Sequence, residues 1–382
     1  TTSGTTAMTI KNNGNVGIGV SALESWHPDM SVLQIGGTGA ISNETSAAAG
    51  KELNLTHNAY WDLNSGNWER QATASDEASR YRQVNGTHTF MTAVAGAADS
   101  TITWVDNFKL DANSRISLSN NDAGTDNTVF GYNAGNTLDA GSNYNTFFGH
   151  QSSGLGTMDD AINNSGFGYR ALYDLTSGDT NTALGMRAGY NLTTGSKNIA
   201  IGADSLYASL DVDNAVVIGV DAAQGVMTSA ADGTVAIGFS ALAALTEGAG
   251  NTAVGYTAGA LITTGASNTI LGHGAMDATP VAATGNVAIG TNSMGGASSA
   301  QSASNYNVSI GTNSMAAVLN GAGGNVAIGY EALNDLTTGD ESVVIGFEAG
   351  DAITTQSTMT LVGHRAGSAI NDNAANGTVA VG

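Results

Sequence analysis

The sequence predicts an all-β protein: a β-rich N-terminal knob followed by a homotrimeric parallel β-solenoid (β-roll) of about fifteen coils. Three observations carry the repeat architecture and its boundary. A four-residue phrase ending in glycine recurs fifteen times between Gly131 and Gly382, at intervals of about 18 residues. A near-fixed period of that length makes each unit one turn of a stack, so the chain is quasi-one-dimensional. Charged residues are only 11% of the chain while Gly reaches 52 of 382 and Pro only 2, a balance foreign to collagen and to Pro-rich disorder alike. All four tryptophans (Trp26, Trp61, Trp68, Trp104) precede the repeats.

That shift in composition sets the expected organisation: 1–19 as the end of a preceding segment, 20–117 as the knob, and 118–382 as the repeat shaft. Ser117 to Gly124 forms the polar junction between the last two. The chain opens on Thr1-Thr2-Ser3-Gly4, which reads as a start inside a longer protein. Within the knob, Leu33 to Ile35, Thr87 to Met91 and Thr101 to Val105 have the alternation and β-branched content of half-buried strands. Ser75 to Gln83 reads as a helical turn. Asn64-Ser65-Gly66-Asn67 reads as a hairpin tip, beside which Tyr60, Trp61 and Trp68 are the candidate glycan contacts. The competing reading makes those rings part of the knob's own core.

Each repeat has a fixed grammar, represented by Gly185, Gly202, Gly219, Gly255, Gly290, Gly329 and Gly346. The residue before the glycine is always apolar, as in Ile201, Ile218, Ile237, Ile289, Ile310, Ile328 and Ile345. Three before it stands Thr, Val or Ile in fourteen of fifteen cases, and alternation along a strand puts these two positions on one face. The residue between them is mostly small or apolar, so neither face is wet and the strand should be buried on both sides. Three after each glycine stands Ala or Ser, which fits where two walls of a narrow coil nearly touch. The rest is a turn carrying most of the acid. A coil of two short strands is too thin to bury both faces. Side-by-side copies would cover the second, with threefold symmetry and the isoleucines as the seam.

The motif Asn325-Val326-Ala327-Ile328-Gly329-Tyr330-Glu331-Ala332 resembles the head repeats of trimeric autotransporter adhesins. The longer form, Asn251 to Gly259 followed by Ile262-Thr263-Thr264-Gly265, is similar to bacteriophage tail fibre proteins, as is Ala7 to Gly19. The resemblance implies a trimeric β-roll in a virion tail fibre, with other fibre or virion proteins and a host surface glycan or protein as partners. A bacterial surface adhesin is the alternative it implies.

Several function classes are disfavoured. The net charge is −21, and beyond residue 115 only four basic residues stand against twenty-one acids, so neither a nucleic acid backbone nor an anionic membrane fits the repeats. No run of 18 apolar residues is present to span a bilayer. With no cysteine, thiolate metal sites and cysteine nucleophiles are absent. No catalytic residue, cofactor or resident metal is expected. His150, His273 and His364 each follow a repeat glycine, where Tyr or Phe stands elsewhere. A threefold ring of imidazoles could hold a transition metal, but a flat flank side chain is the simpler role. Asp122/Asp126, Asp159-Asp160 and Asp211/Asp213 lack the spacing of a calcium loop and read as solvated turn acids. The Asn four before the repeat glycine recurs ten times, as a ladder of stacked amides or as a turn residue.

Overall fold

In a computed structural model the chain divides into two compact units, Thr1–Asn121 and Asp122–Gly382. All residues are described except 1–7, 21–22, 25, 45–51, 72–75, 111–115, 119–125, 279–281, 297–303 and 371–374. Among the described residues there is no α-helix, and a 3-10 turn lies at Ser229–Ala231.

The N-terminal unit is built on β1 (Met8–Ile10), β2 (Val16–Ile18), β3 (Met30–Ile35), β4 (Gly39–Glu44), β5 (Glu52–His57), β6 (Tyr60–Trp61), β7 (Trp68–Glu69), β8 (Ala78–Val84), β9 (Thr87–Ala93), β10 (Val105–Leu110) and β11 (Ile116–Leu118). Nine of these form one sheet in the order β1-β2-β3-β4-β5-β8-β9-β10-β11, antiparallel except for β2 beside β3, while β6 and β7 pair as a separate hairpin. The segment 1–19 thus supplies the first two strands of this sheet. The expected helical turn at 75–83 is instead β8. There Ala78 and Arg80 point inward between exposed or half-exposed neighbours, an alternation with period two that the charged residues disguise. The strand expected at 101–105 lies later, at Val105–Leu110, with Thr101 held by a single bridge to Glu69.

One face of the sheet carries the core: Met30, Val32, Ala40, Ala78 and Ala93 pack with Trp26, Tyr60 and Trp68. The other carries a cross-strand row. Leu33 faces Ile41, Ile41 faces Leu55, Leu55 faces Tyr81, Tyr81 faces Phe90, and Phe90 faces Phe108. Directly opposed residues share a face. This apolar row is open in the single chain, with Leu55 52% and Phe90 50% exposed.

The second unit is a parallel β-solenoid. Fifteen three-residue strands, from β12 (Thr128–Phe130) to β26 (Val379–Val381), stack in sequence order in one parallel sheet without a register shift. Each coil contributes one strand to this sheet, not the two expected. The remaining backbone still bonds coil to coil. Two residues past the repeat glycine, Arg187 N–H donates to Tyr169 of the preceding coil. Four past it, Leu172 N–H donates to Ala188 of the following one. These reversals need left-handed residues, and Arg187 and Leu172 have φ of 57° and 51°.

The repeat glycine is fixed by two constraints at once. From Gly131 to Gly363 the fourteen glycines have φ between 129° and 147°, and an added Cβ would fall inside the next coil's glycine carbonyl oxygen. Inside the coil the middle strand residue, such as Ala183, Val217 or Leu361, is fully buried. So is the Ala or Ser three past the glycine in nearly every coil, as expected for a narrow interior. Four past the glycine, Leu172, Leu206, Leu242 and Leu333 fill the core, and where glycine stands instead a neighbour takes its volume. At Gly259 the Ile270, Leu242 and Ile262 side chains converge on the space a Cβ would occupy.

Candidate functional site

Buried asparagines bind the solenoid together. Asn268 Oδ1 accepts from Asn286 N–H at 3.0 Å and from Asn286 Nδ2 at 3.1 Å, while Asn268 Nδ2 donates to Asn251 Oδ1 at 2.9 Å and to the Ala283 carbonyl at 2.7 Å. The same links join Asn145, Asn164, Asn181 and Asn198, and again Asn286, Asn307 and Asn325. Both sequence readings of this Asn are therefore satisfied by one residue: it enters the strand and it is a rung. Every polar atom finds a partner, which is what permits an amide ladder in a dry interior.

A second ladder escaped sequence reading. Six residues before the repeat glycine, a short polar side chain accepts from the backbone of the preceding coil. Ile162 N–H donates to Asp179, Asp179 N–H to Ser196, Ser196 N–H to Asp213, and Asp213 N–H to Asp232. Gly323, Asp340 and Ser357 continue the pattern with Asp340, Ser357 and Asn376 as acceptors. The signal was there, a Ser, Thr, Asn or Asp at a fixed offset, but variable residue type hid it. Asp211 likewise accepts from Ser229 N–H. Asp159 and Asp160 lie with Asp139 so that one oxygen of each falls within 4.8 Å of the others. One Asp139 oxygen already accepts from Ser142 N–H and its hydroxyl, and the hydroxyl bond holds that carboxyl below the usual carboxylate range. Asp126 is exposed with φ of 58°, and Asp122 lies outside the described residues.

The three histidines each join a separate aromatic stack on the flank. His150 lies between Tyr132 and Tyr169, at 5.3 Å from each. His273 ends the stack Phe239–Tyr256–His273, and His364 ends Tyr330–Phe347–His364. They are flat members of stacks with the 17- to 19-residue repeat of the coil. A further stack, Tyr173–Tyr190–Tyr207, runs at five residues past the glycine.

The outward strand face holds the predicted seam. Ile201, Ile218, Ile237, Ile289, Ile310 and Ile328 are half-buried in the single chain, and Ile345 is 37% exposed. The strands are thus dry on their inner face and only partly covered on the outer one. Toward the first coils the same row is aromatic, with Phe130 and Phe148 stacked at 4.9 Å and Phe148 and Phe167 at 6.3 Å.

In the N-terminal unit the three candidate glycan contacts separate. Tyr60 is buried, and its hydroxyl is bonded to Asp99 at 3.0 Å and to Glu69 at 3.3 Å. Burial, then the Asp99 bond, pushes its phenol up. Trp68 is 6% exposed, edge-on to Trp26, Trp61 and Trp104. Trp61 stays half-exposed. The hairpin tip is confirmed: Asp62 accepts from Asn64 and Ser65 N–H at 2.7 and 2.6 Å, and Gly66 takes φ of 66°. Trp61 and Trp68 line an open-sided cleft of about 530 Å³ together with His27, Arg80, Arg82 and Trp104. Arg80 is the pivot. Its guanidinium lies 4.3 Å over the Trp68 ring and 5.9 Å from that of Trp104, it pairs with Glu52, and its Nε donates to Asn54 at 2.7 Å. Burial lowers Arg80 to about 10 while the Glu52 charge opposes that shift, so it stays cationic at neutral pH. Arg82 also pairs with Glu52. Sequence reading passed over both arginines, although Arg80-Tyr81-Arg82 has the alternation that puts two cations on one sheet face.

Compared with known proteins, the chain matches no family model, no curated protein and no solved structure.

Proposed function

We propose that the chain is a structural segment of a virion tail fibre, a homotrimeric shaft that supports host-cell attachment. The observation that carries the reading is the outward strand face: a continuous row of Ile, Val, Leu and Phe left half-open along fifteen stacked strands. Burying the open half of one such side chain adds roughly 1 kcal/mol, so the gain repeats at every coil. The cross-strand row Leu33–Ile41–Leu55–Tyr81–Phe90–Phe108 in the N-terminal unit supports the same conclusion independently. Long exposed apolar strips on a chain this acidic call for a partner that covers them while leaving the charged turns wet. Identical chains wound side by side do both. The role is mechanical: backbone and side-chain ladders resist extension along the stack, and the seam holds the chains together.

The sequence motifs shared with fibre proteins favour the virion, and the motif Asn325 to Ala332 favours the alternative of a bacterial surface adhesin head. Immunogold labelling with an antibody raised against this chain separates them. Gold on the fibres of phage particles supports the first reading, and gold on bacterial envelopes supports the second. Labelling of neither overturns both.

A further inference from the structure

The cleft of the N-terminal unit is separate from the apolar row proposed as a contact between copies. Its floor comes from the sheet face opposite the apolar row: Met30, Glu44, Glu52, Arg80, Arg82 and Met91 all point the other way from Leu55, Tyr81 and Phe90. Covering that row with further copies of the chain therefore does not itself fill the cleft.

Its lining combines two chemistries. Indoles of Trp61, Trp68 and Trp104 stand edge to face, at 5.7 and 6.2 Å between successive rings, which holds them rigid around the opening. Around them sit His27, Asp29, Glu44 and the Glu52–Arg82 pair, groups suited to bridging neighbouring hydroxyls. Among the described residues, two buried donors, Arg82 Nε and Trp104 Nε1, have no acceptor. Both atoms are closed off from solvent, so a ligand in the cleft meets the exposed part of the Arg82 side chain rather than these two donors. Charge narrows the class further. Three carboxylates face two guanidiniums, and Glu52 is shared by both cations, so no spare positive charge remains for an acidic group.

We propose that this cleft binds an uncharged segment of a carbohydrate, two or three sugar rings long, stacked on Trp61 and hydrogen-bonded by Arg82 and the rim carboxylates. Its volume lies within the range of small-ligand sites and exceeds what one ring needs. Of the three contacts expected from sequence, Trp61 meets the sugar face, Trp68 fixes Arg80 behind it, and Tyr60 stays in the core.

The test uses the whole 382-residue chain. Intrinsic tryptophan fluorescence is titrated with a panel of neutral di- and trisaccharides and, in parallel, with sialylated and uronic-acid oligosaccharides. A neutral sugar should shift the emission saturably, and Trp61→Ala and Arg82→Ala should each weaken binding at least tenfold, with far-UV circular dichroism checking that each variant remains folded. Trp61→Phe, which keeps a ring face, should retain most of it. No saturable shift with any neutral sugar overturns the proposal, as does binding confined to the acidic sugars or binding that survives both substitutions. The oligomeric state is read separately by light scattering, so a monomeric shaft and a non-binding cleft are distinguishable failures.

Discussion

The two units solve the same problem, a sheet with one dry face, by opposite means. In the solenoid most stabilising contacts are copies of one a coil away: the strand register never shifts, the glycine recurs in every coil, and the Asn rung recurs at a fixed offset in ten of them. In the N-terminal unit the decisive contacts are unique and distant in sequence. Tyr60 meets Asp99 thirty-nine residues on, and Arg80 reaches back twenty-six residues to Asn54. Repetition makes a structure easy to read and redundant; singularity makes one that is hard to read and can be specific. The solenoid has the first character, and the cleft lined by Trp61 and Arg80 has the second.

The contrast is sharpest at glycine. Gly255→Val forces a β-branched residue to φ of 147° and drives its Cβ into the Gly272 carbonyl, so a loss of about 3 kcal/mol or more is expected by chemical denaturation. Gly66 at the hairpin tip also has positive φ but open space beside it. Gly66→Ala should therefore cost about 1 kcal/mol, conformational strain alone. Equal losses at the two sites would break the distinction.

Redundancy predicts a second pattern. Asn268→Ala strips the partners of Asn286 N–H and of the Ala283 carbonyl in a dry interior, a cost of about 2 kcal/mol. Asn307→Ala, a rung two coils on, should give the same loss within about 0.5 kcal/mol, because nearest-neighbour terms dominate a stack. A large difference would mean that the coils are not interchangeable.

The smallest effect concerns pH. Backbone bonds from the hairpin tip, Ser65 first, hold the Asp62 carboxyl below its ordinary value of 3.8. A lowered value means the stabilisation is complete above 3.8 and is lost as pH falls through the lower, folded value. Near-UV circular dichroism of the tryptophan cluster should therefore hold steady down to about pH 4 and change only below it. In Asp62→Asn that acid step should shrink.

Legibility followed the same division. Period, glycine, Asn rung and inward Ala or Ser could all be read from the repeats, because fifteen copies average out the noise of any single coil. Two things misled. A coil looked like two strands, since αL residues such as Leu172 and Arg187 carry coil-to-coil bonds outside regular strand geometry. The polar rung at Asp179, Ser196 and Asp213 varied in residue type while keeping one acceptor role. In the N-terminal unit the hairpin tip was visible in Asn64-Ser65-Gly66-Asn67. The cleft was not, because Arg80, Glu52, Trp61 and Trp104 meet only through long-range pairing.

The outward apolar face is proposed as a seam between identical chains. Light-scattering mass in solution tests it most directly, comparing the parent with Ile328→Asp, which sets a carboxylate on the seam while leaving the inward Ala327 in place. The parent should have three times the chain mass of 38.2 kDa, and the variant should dissociate or show a marked loss of thermal stability. A parent that runs as a folded 38.2 kDa monomer, or a variant that stays trimeric and equally heat-stable, would contradict it.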